Sequence, residues 1–174
     1  MKKKARPEVV VGTELPGPRA GRFSREPLLE GYLPHYLSRL MNILNMQLLE
    51  VLRPFDVTVQ QFRVMQVIDA CRTSTVGKIA RDAVIEQSLV SRVVDQLEER
   101  GLARRARSAT NARVVEVSLT AHGHEVYAAI TPAREAIVEN AASVLSGAEK
   151  TKLDELLRRV FRHLAGPGLR GDHA

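Results

Sequence analysis

The stretch Arg81–Arg107, "RDAVIEQSLVSRVVDQLEERGLARRAR", decides how the rest of the chain is read. Leu89, Val90, Val93, Val94 and Leu97 recur at the spacing of one helical face, so a helix over 87–100 should bury that side. Gln87, Ser88, Ser91 and Arg92 are left on the other side, outside any core. Gly101 then stops the helix, and from Arg100 to Val115 the chain carries five arginines and no acid. A low-bulk polar edge beside an unbalanced cationic segment is the feature to explain.

Downstream, "LARRARSATNARVVEVSL" places Val115, Val117 and Leu119 on one side with a period of two, and "SATN" supplies turn residues. This predicts a β-hairpin. Upstream, a short helix is expected near 76–82, preceded by one that opens on a Thr58/Gln61 capping box and runs to about Ala70. Phe62, Met65 and Ile68 should face inward from it. A long first helix, 34–53, starts with Pro34, carries a broad apolar stripe from Leu37 to Leu52 and is closed by Pro54. Beyond the hairpin, Thr120 can cap a helix over about 121–145, in which Pro132 should produce a bend. Ser146 and Glu149 form a second capping box, opening a last helix with Leu153, Leu156, Leu157, Val160, Phe161 and Leu164.

The resulting division is a flexible arm (1–26), a region of outer helices (27–54 and 121–165), a central helix-and-hairpin domain (55–120) and a flexible tail (166–174). The arm holds three prolines, three glycines and seven basic residues, a composition that cannot pack a core of its own.

Totals narrow the class. A chain of 174 residues with 44% hydrophobic content can bury a core, and with four Phe, three Tyr and no Trp that core is aliphatic. This favours packed helices. The formal charge of +6 and pI near 9.9 suit a polyanionic partner. A single cysteine, Cys71, excludes an internal disulfide framework and fits a reducing compartment. No apolar run reaches the ~18 residues of a membrane span, and "MKKK" leads into Pro and Glu rather than a signal core. A soluble cytoplasmic protein is expected.

Two short helices, a tight turn and a two-stranded ribbon make a winged helix-turn-helix, so the fold class is mainly α with a small β-hairpin wing. On that fold Gln87, Ser88 and Ser91 can donate and accept hydrogen bonds deep in a major groove. Arg92 can reach a guanine edge or a phosphate, and the wing arginines can meet the backbone or enter the minor groove.

At this point the residues carry a resemblance. "TVGKIARDAVIEQSLVSRVVDQLEERGLARR" followed by "NARVVEVSLTAHG" resembles the MarR family of bacterial transcriptional regulators, over about residues 33–165. The resemblance implies an intertwined helical homodimer with one winged helix-turn-helix at each end. It also implies repression at a pseudo-palindromic operator, relieved by a small molecule, in the bacterial cytoplasm at the nucleoid. In the family pattern the wing carries Asp-x-Arg, where this chain has Asn111-Ala112-Arg113. Arg113 carries over as the minor-groove residue, with Arg107, Thr110 and Asn111 beside it, and Asn111 can offer a carbonyl oxygen in place of the missing acid. Where many members have Thr, this chain has Leu89; that contact is either lost or replaced by one with a thymine methyl group.

The outer helices support a homodimer independently, because their apolar residues exceed what one small domain can cover. Two reading helices would then reach major grooves about 34 Å apart on one DNA face. On the first helix His35, Arg39 and Asn42 share a face. An effector that is a small aromatic carboxylic acid could be held there, with Met46, Phe62 and Met65 as apolar walls. The alternative is an inter-subunit ion pair or simple exposure.

Other chemistry is weaker. Cys71 is either a redox switch or a small semi-buried residue, and no second cysteine could resolve an oxidised form. His122 and His124 point apart on a helix, so no metal site is expected, and no cofactor. No phosphate loop, nucleophile elbow or metalloprotease motif is present in the sequence, and an enzyme is not expected. The competing readings are a non-specific architectural DNA-binding protein and a winged helix that binds only protein.

Overall fold

The computed structural model describes residues 33–164; the arm expected over 1–26 and the tail over 166–174 lie outside the described residues. The elements run α1 (Leu33–Leu52), a 3₁₀ turn (Arg53–Phe55), α2 (Val59–Cys71), α3 (Val76–Ala83), α4 (Gln87–Glu99), β1 (Ala103–Arg107), β2 (Val115–Leu119), α5 (Ala121–Ala141) and α6 (Gly147–Leu164). The chain divides into two units, Met1–Ile43 and Leu44–Ala174, and the division falls within α1.

In the first unit the described residues are the opening turns of α1. Leu33, Tyr36, Leu37, Leu40 and Met41 are exposed there. Arg39 Nη1 lies 3.5 Å from His35 Nε2, one turn away.

The second unit is built around one aliphatic core. Val90, Val93, Val94 and Leu97 of α4 meet Phe62, Met65 and Ile68 of α2 and Ile79 of α3. Leu52 at the end of α1, Val117 and Leu119 of β2, and Ile130 of α5 complete it. The Phe62 and Tyr127 rings stack with centroids 5.5 Å apart, joining α2 to α5. Burial, and then the nearby Asp69 carboxylate, push the Tyr127 hydroxyl above its ordinary pKa.

Local chemistry sets the boundaries. Thr58 Oγ1 accepts from the Gln61 N–H (3.1 Å) while Gln61 Oε1 accepts from the Thr58 N–H (3.0 Å), the expected capping box. Thr75 and Thr120 cap α3 and α5 through the N–H groups of Lys78 and Gly123. Ser146 and Glu149 form the second reciprocal pair at α6. Pro54 lies inside the 3₁₀ turn that follows α1.

α5 passes through Pro132 and stops at Ala141, four residues short of expectation. The Ser143 hydroxyl donates to the Asn140 carbonyl (2.7 Å), offering the backbone a turn in place of another helical bond.

β1 and β2 pair antiparallel, Ala103 opposite Leu119 and Arg107 opposite Val115. Ser74 adds an antiparallel bridge, exchanging both backbone hydrogen bonds with Val117 (3.0 and 2.7 Å). α6 contributes no buried residue; Leu153, Leu157, Val160, Phe161 and Leu164 all stand exposed.

Candidate nucleic-acid interface

The turn between α3 and α4 is tight. Val84 takes a left-handed conformation (φ 54°) and the Ile85 N–H reaches back to the Ala80 carbonyl (2.9 Å). A β-branched residue pays strain in that region, so the close approach of the two helices is imposed by the core beneath them. α4 then buries Val90, Val93, Val94 and Leu97 and leaves Gln87, Ser88 and Arg92 exposed, with Ser91 half-buried. Leu89 is half-buried against the core.

Each polar residue on this edge has a distinct setting. Ser88 Oγ donates to the Glu86 carboxylate (2.9 Å), which occupies its proton and leaves the oxygen as an acceptor. Gln87, Ser88 and Ser91 line an open cleft with Thr75 and Gly77 on one side and Val114 and Val115 of the wing on the other. Arg92 forms no hydrogen bond or ion pair among the described residues.

The five arginines separate into two groups, a correction to their reading as one unbalanced cluster. Arg105 is held by two carboxylates of α4: Nη1 lies 2.6 Å from Asp95 Oδ1 and also bonds Glu98 Oε2, while Nη2 donates to the Ser91 carbonyl (3.3 Å). The Glu98 carboxylate further accepts the Arg105 N–H (2.6 Å). Burial works against the guanidinium charge here, but the two carboxylates outweigh it and raise the Arg105 pKa. Arg100 turns away from the wing, to the Phe55 and Asp56 carbonyls. Arg104, Arg107 and Arg113 remain exposed and without an acid partner among the described residues; Arg104 Nε donates only to Ser118 Oγ (3.2 Å).

At the wing tip Asn111 uses its side-chain carbonyl, but for the Arg113 backbone N–H (3.1 Å) rather than its guanidinium. Asn111 therefore shapes the turn, and the arginine side chain projects from a backbone held by it. Thr110 Oγ1 lies 3.1 Å from Ser108 Oγ.

Of the residues expected to hold an effector, His35, Arg39 and Asn42 share the first turns of α1, and Met46 is exposed. Phe62 and Met65 are core residues, 2% and 0% exposed, so as placed they cannot wall an open cleft. Their side chains instead pack α2 into the core, with Phe62 stacked on Tyr127 of α5.

Sequence reasoning missed Arg105, Asp95, Glu98 and Ser74 as the parts that fix the wing. A signal existed for the acids, since Asp95 and Glu98 are three apart on α4 and lie on one face. Of the other singled-out groups, Cys71 is half-buried, and His124 Nδ1 lies 2.9 Å from Asp69 Oδ1 rather than beside His122. Among the described residues no His, Cys, Asp and Glu cluster could hold a metal ion, and no helix is long and apolar enough to cross a membrane.

A helix pair joined by a tight turn, followed by a cationic two-stranded ribbon, defines a winged helix-turn-helix. The MarR family model matches residues 57–115. The HTH-type transcriptional regulator YhbI of Bacillus subtilis is 31% identical over 119 residues, covering 67% of this chain and 70% of its own. A MarR family transcriptional regulator from Silicibacter pomeroyi superposes with a TM-score of 0.72 at 28% identity, over 80% of this chain and 93% of that one. A mutant MarR of E. coli complexed with operator DNA gives 0.64 at 24% identity, over 78% and 99%. BpsR of Bordetella bronchiseptica, whose DNA binding is regulated by 6-hydroxynicotinic acid, gives 0.66 at 22%, over 80% and 96%. The chain belongs to the MarR family of winged helix-turn-helix transcriptional regulators.

Proposed function

We propose that this protein is a homodimeric repressor that reads an inverted-repeat operator with α4 in the major groove and the wing against the minor groove. One observation carries the reading. The outward edge of α4 (Gln87, Ser88, Arg92) is free of core packing and stands beside three wing arginines without acid partners among the described residues. Gln87, Ser88 and Ser91 would read base edges; Arg107 and Arg113 would bind the backbone and minor groove, with Thr110 and Asn111 shaping the tip. The solved operator complex of the E. coli MarR mutant supports this role for the shared fold.

Two-fold reading requires a dimer. The exposed apolar face of α6 supports one, since covering it against a second copy removes apolar surface from water at ~25 cal/mol per Å². In this reading residues 27–54 and 121–165 pair the subunits and 55–120 bind DNA. Release follows when a small aromatic carboxylic acid binds, its carboxylate taken by His35 and Arg39 with Asn42 beside them. The regulated DNA binding of BpsR by 6-hydroxynicotinic acid supports that ligand class. The protein would act in the bacterial cytoplasm.

The test is selection from a randomised duplex library, followed by competition. Specific binding should survive random competitor DNA at an excess of ~10³-fold. In the same assay Arg113→Ala should weaken all duplexes and reduce the salt dependence by about one counterion per half-site. Gln87→Ala should instead relax preference at one base pair, costing ~1–3 kcal/mol per contact. Affinity that random competitor removes completely would point to an architectural DNA-binding protein instead.

A further inference from the structure

The end of α4 furthest from Gln87 is tied to the corner between α1 and α2 by side-chain hydrogen bonds. Arg100, which closes α4, donates from Nη2 to the Phe55 carbonyl (2.9 Å) and from Nη1 to the Asp56 carbonyl and to Gln61 Oε1 (3.3 Å). Gln61 is buried, at 5% exposure, and its Nε2 donates to Gln96 Oε1 (3.0 Å), one turn earlier on α4. The same Gln61 oxygen receives the Thr58 N–H at the start of α2.

The corner itself is well defined. Asp56 is left-handed (φ 53°) with its N–H on the Arg53 carbonyl (3.1 Å), and the Val57 N–H reaches the carbonyl of buried Leu52, the last residue of α1 (3.4 Å). A planar guanidinium that serves three acceptors fixes direction as well as distance. A buried amide with both ends engaged cannot turn without orphaning a polar group. The Asp56 carboxylate, 3.7 Å from Arg100 and 97% exposed, adds little to this.

We propose that Arg100 and Gln61 are positioning residues that set the direction of α4 against the C-terminal end of α1, and thereby the half-site separation that the bound protein accepts. The inference rests on the dimeric reading of an inverted repeat proposed above. If α1 belongs to the part that joins two subunits, whatever holds α4 to α1 also sets where the two reading helices meet the duplex. One base pair of spacing shifts the second half-site by about 3.4 Å along the axis and rotates it by roughly a tenth of a turn, so a rigid link makes binding selective for spacing.

The experiment uses the full chain and a duplex that the unaltered protein selects from a randomised library. That duplex is resynthesised with its half-sites one base pair closer or further apart. Binding is measured for the unaltered protein, Arg100→Met and Arg100→Lys, alongside urea unfolding of each. The unaltered protein is expected to lose about tenfold in affinity for each changed spacing, of the order of a mismatched base pair. Arg100→Met should shrink that penalty to about twofold with an unchanged salt dependence, because no phosphate contact is removed. Arg100→Lys should fall between, since one ammonium cannot serve both carbonyls in the guanidinium's plane; it is also the fallback if the Met variant does not fold.

A wild-type spacing penalty in the variants, with only the unfolding midpoint lowered, would overturn the positioning role. A reduced salt dependence would also overturn it, by showing Arg100 on a phosphate. If the unaltered protein selects no inverted repeat, the dimeric reading itself fails and takes this inference with it, before any variant is measured.

Discussion

Gly123, one turn into α5, sits where no other residue fits. A Cβ there would lie 1.9 Å from the Leu102 carbonyl oxygen and 2.9 Å from its carbon, backbone atoms that cannot swing aside. The approach is drawn tight by Thr120, whose N–H donates to the Leu102 carbonyl (3.0 Å) and whose hydroxyl donates to the Gly101 carbonyl (2.6 Å). Gly101 supplies the left-handed turn (φ 67°) that brings this backbone round. Gly123→Ala is therefore expected to destabilise the protein by ~1–3 kcal/mol, as overpacking does, read as a lower urea midpoint at an unchanged slope. The sequence shows "TAHG" after the hairpin, but its helix-start signal is Thr120 alone. The need for glycine arises from a neighbour twenty-one residues earlier (123 minus 102), beyond the reach of any local pattern.

Among the elements, the wing is tied to α4 by Arg105 of β1, which is shared between Asp95 and Glu98. The three side chains keep 26%, 56% and 30% of their surface exposed, so solvent screens the pairs and the coupling is modest. A double-mutant cycle of Arg105→Met with Glu98→Gln should give a coupling of ~0.5–1 kcal/mol in urea unfolding. Either single variant should also speed amide exchange in β1 while leaving α6 unchanged.

α6 has a different dependence. The Ser146 N–H, and then its hydroxyl, hold the Glu149 carboxyl below its ordinary range. A carboxylate whose folded pKa is depressed contributes when ionised, so its support of α6 is complete above the ordinary carboxylate range. That support is lost as pH falls through the depressed value. Helix-terminal exchange at Glu149 and Lys150 should therefore rise in acid, and Glu149→Gln should remove that pH dependence. Both capping boxes were legible, because a hydroxyl and an acid or amide three apart need only their own turn. The α5 terminus was not, because the Ser143 hydroxyl's choice of the Asn140 carbonyl competes with a helix that local propensity also allows.

For the whole molecule the uncovered faces matter most. Leu157 and Phe161 are 45% and 52% exposed on α6, a helix with no buried residue of its own. In the proposed dimer those surfaces are covered, so the protein should sediment at about twice 19.3 kDa. Leu157→Glu with Phe161→Glu should shift it towards 19.3 kDa and weaken operator binding, while the far-UV signal of the core helices persists. A double variant that remained dimeric would remove α6 from the interface.

The sequence by itself determined the element order, the capping boxes, the hairpin and the outward edge of α4. Each follows from the period of apolar residues or from a contact within one turn. Only the tertiary structure decided which arginines are free to meet a polyanion. Arg100 and Arg105 are consumed by groups 44 and 10 residues away, whereas among the described residues Arg107 and Arg113 have no acid partner. Charge can be counted along a chain, but its partner is chosen by packing, and packing brings together residues that no local period relates.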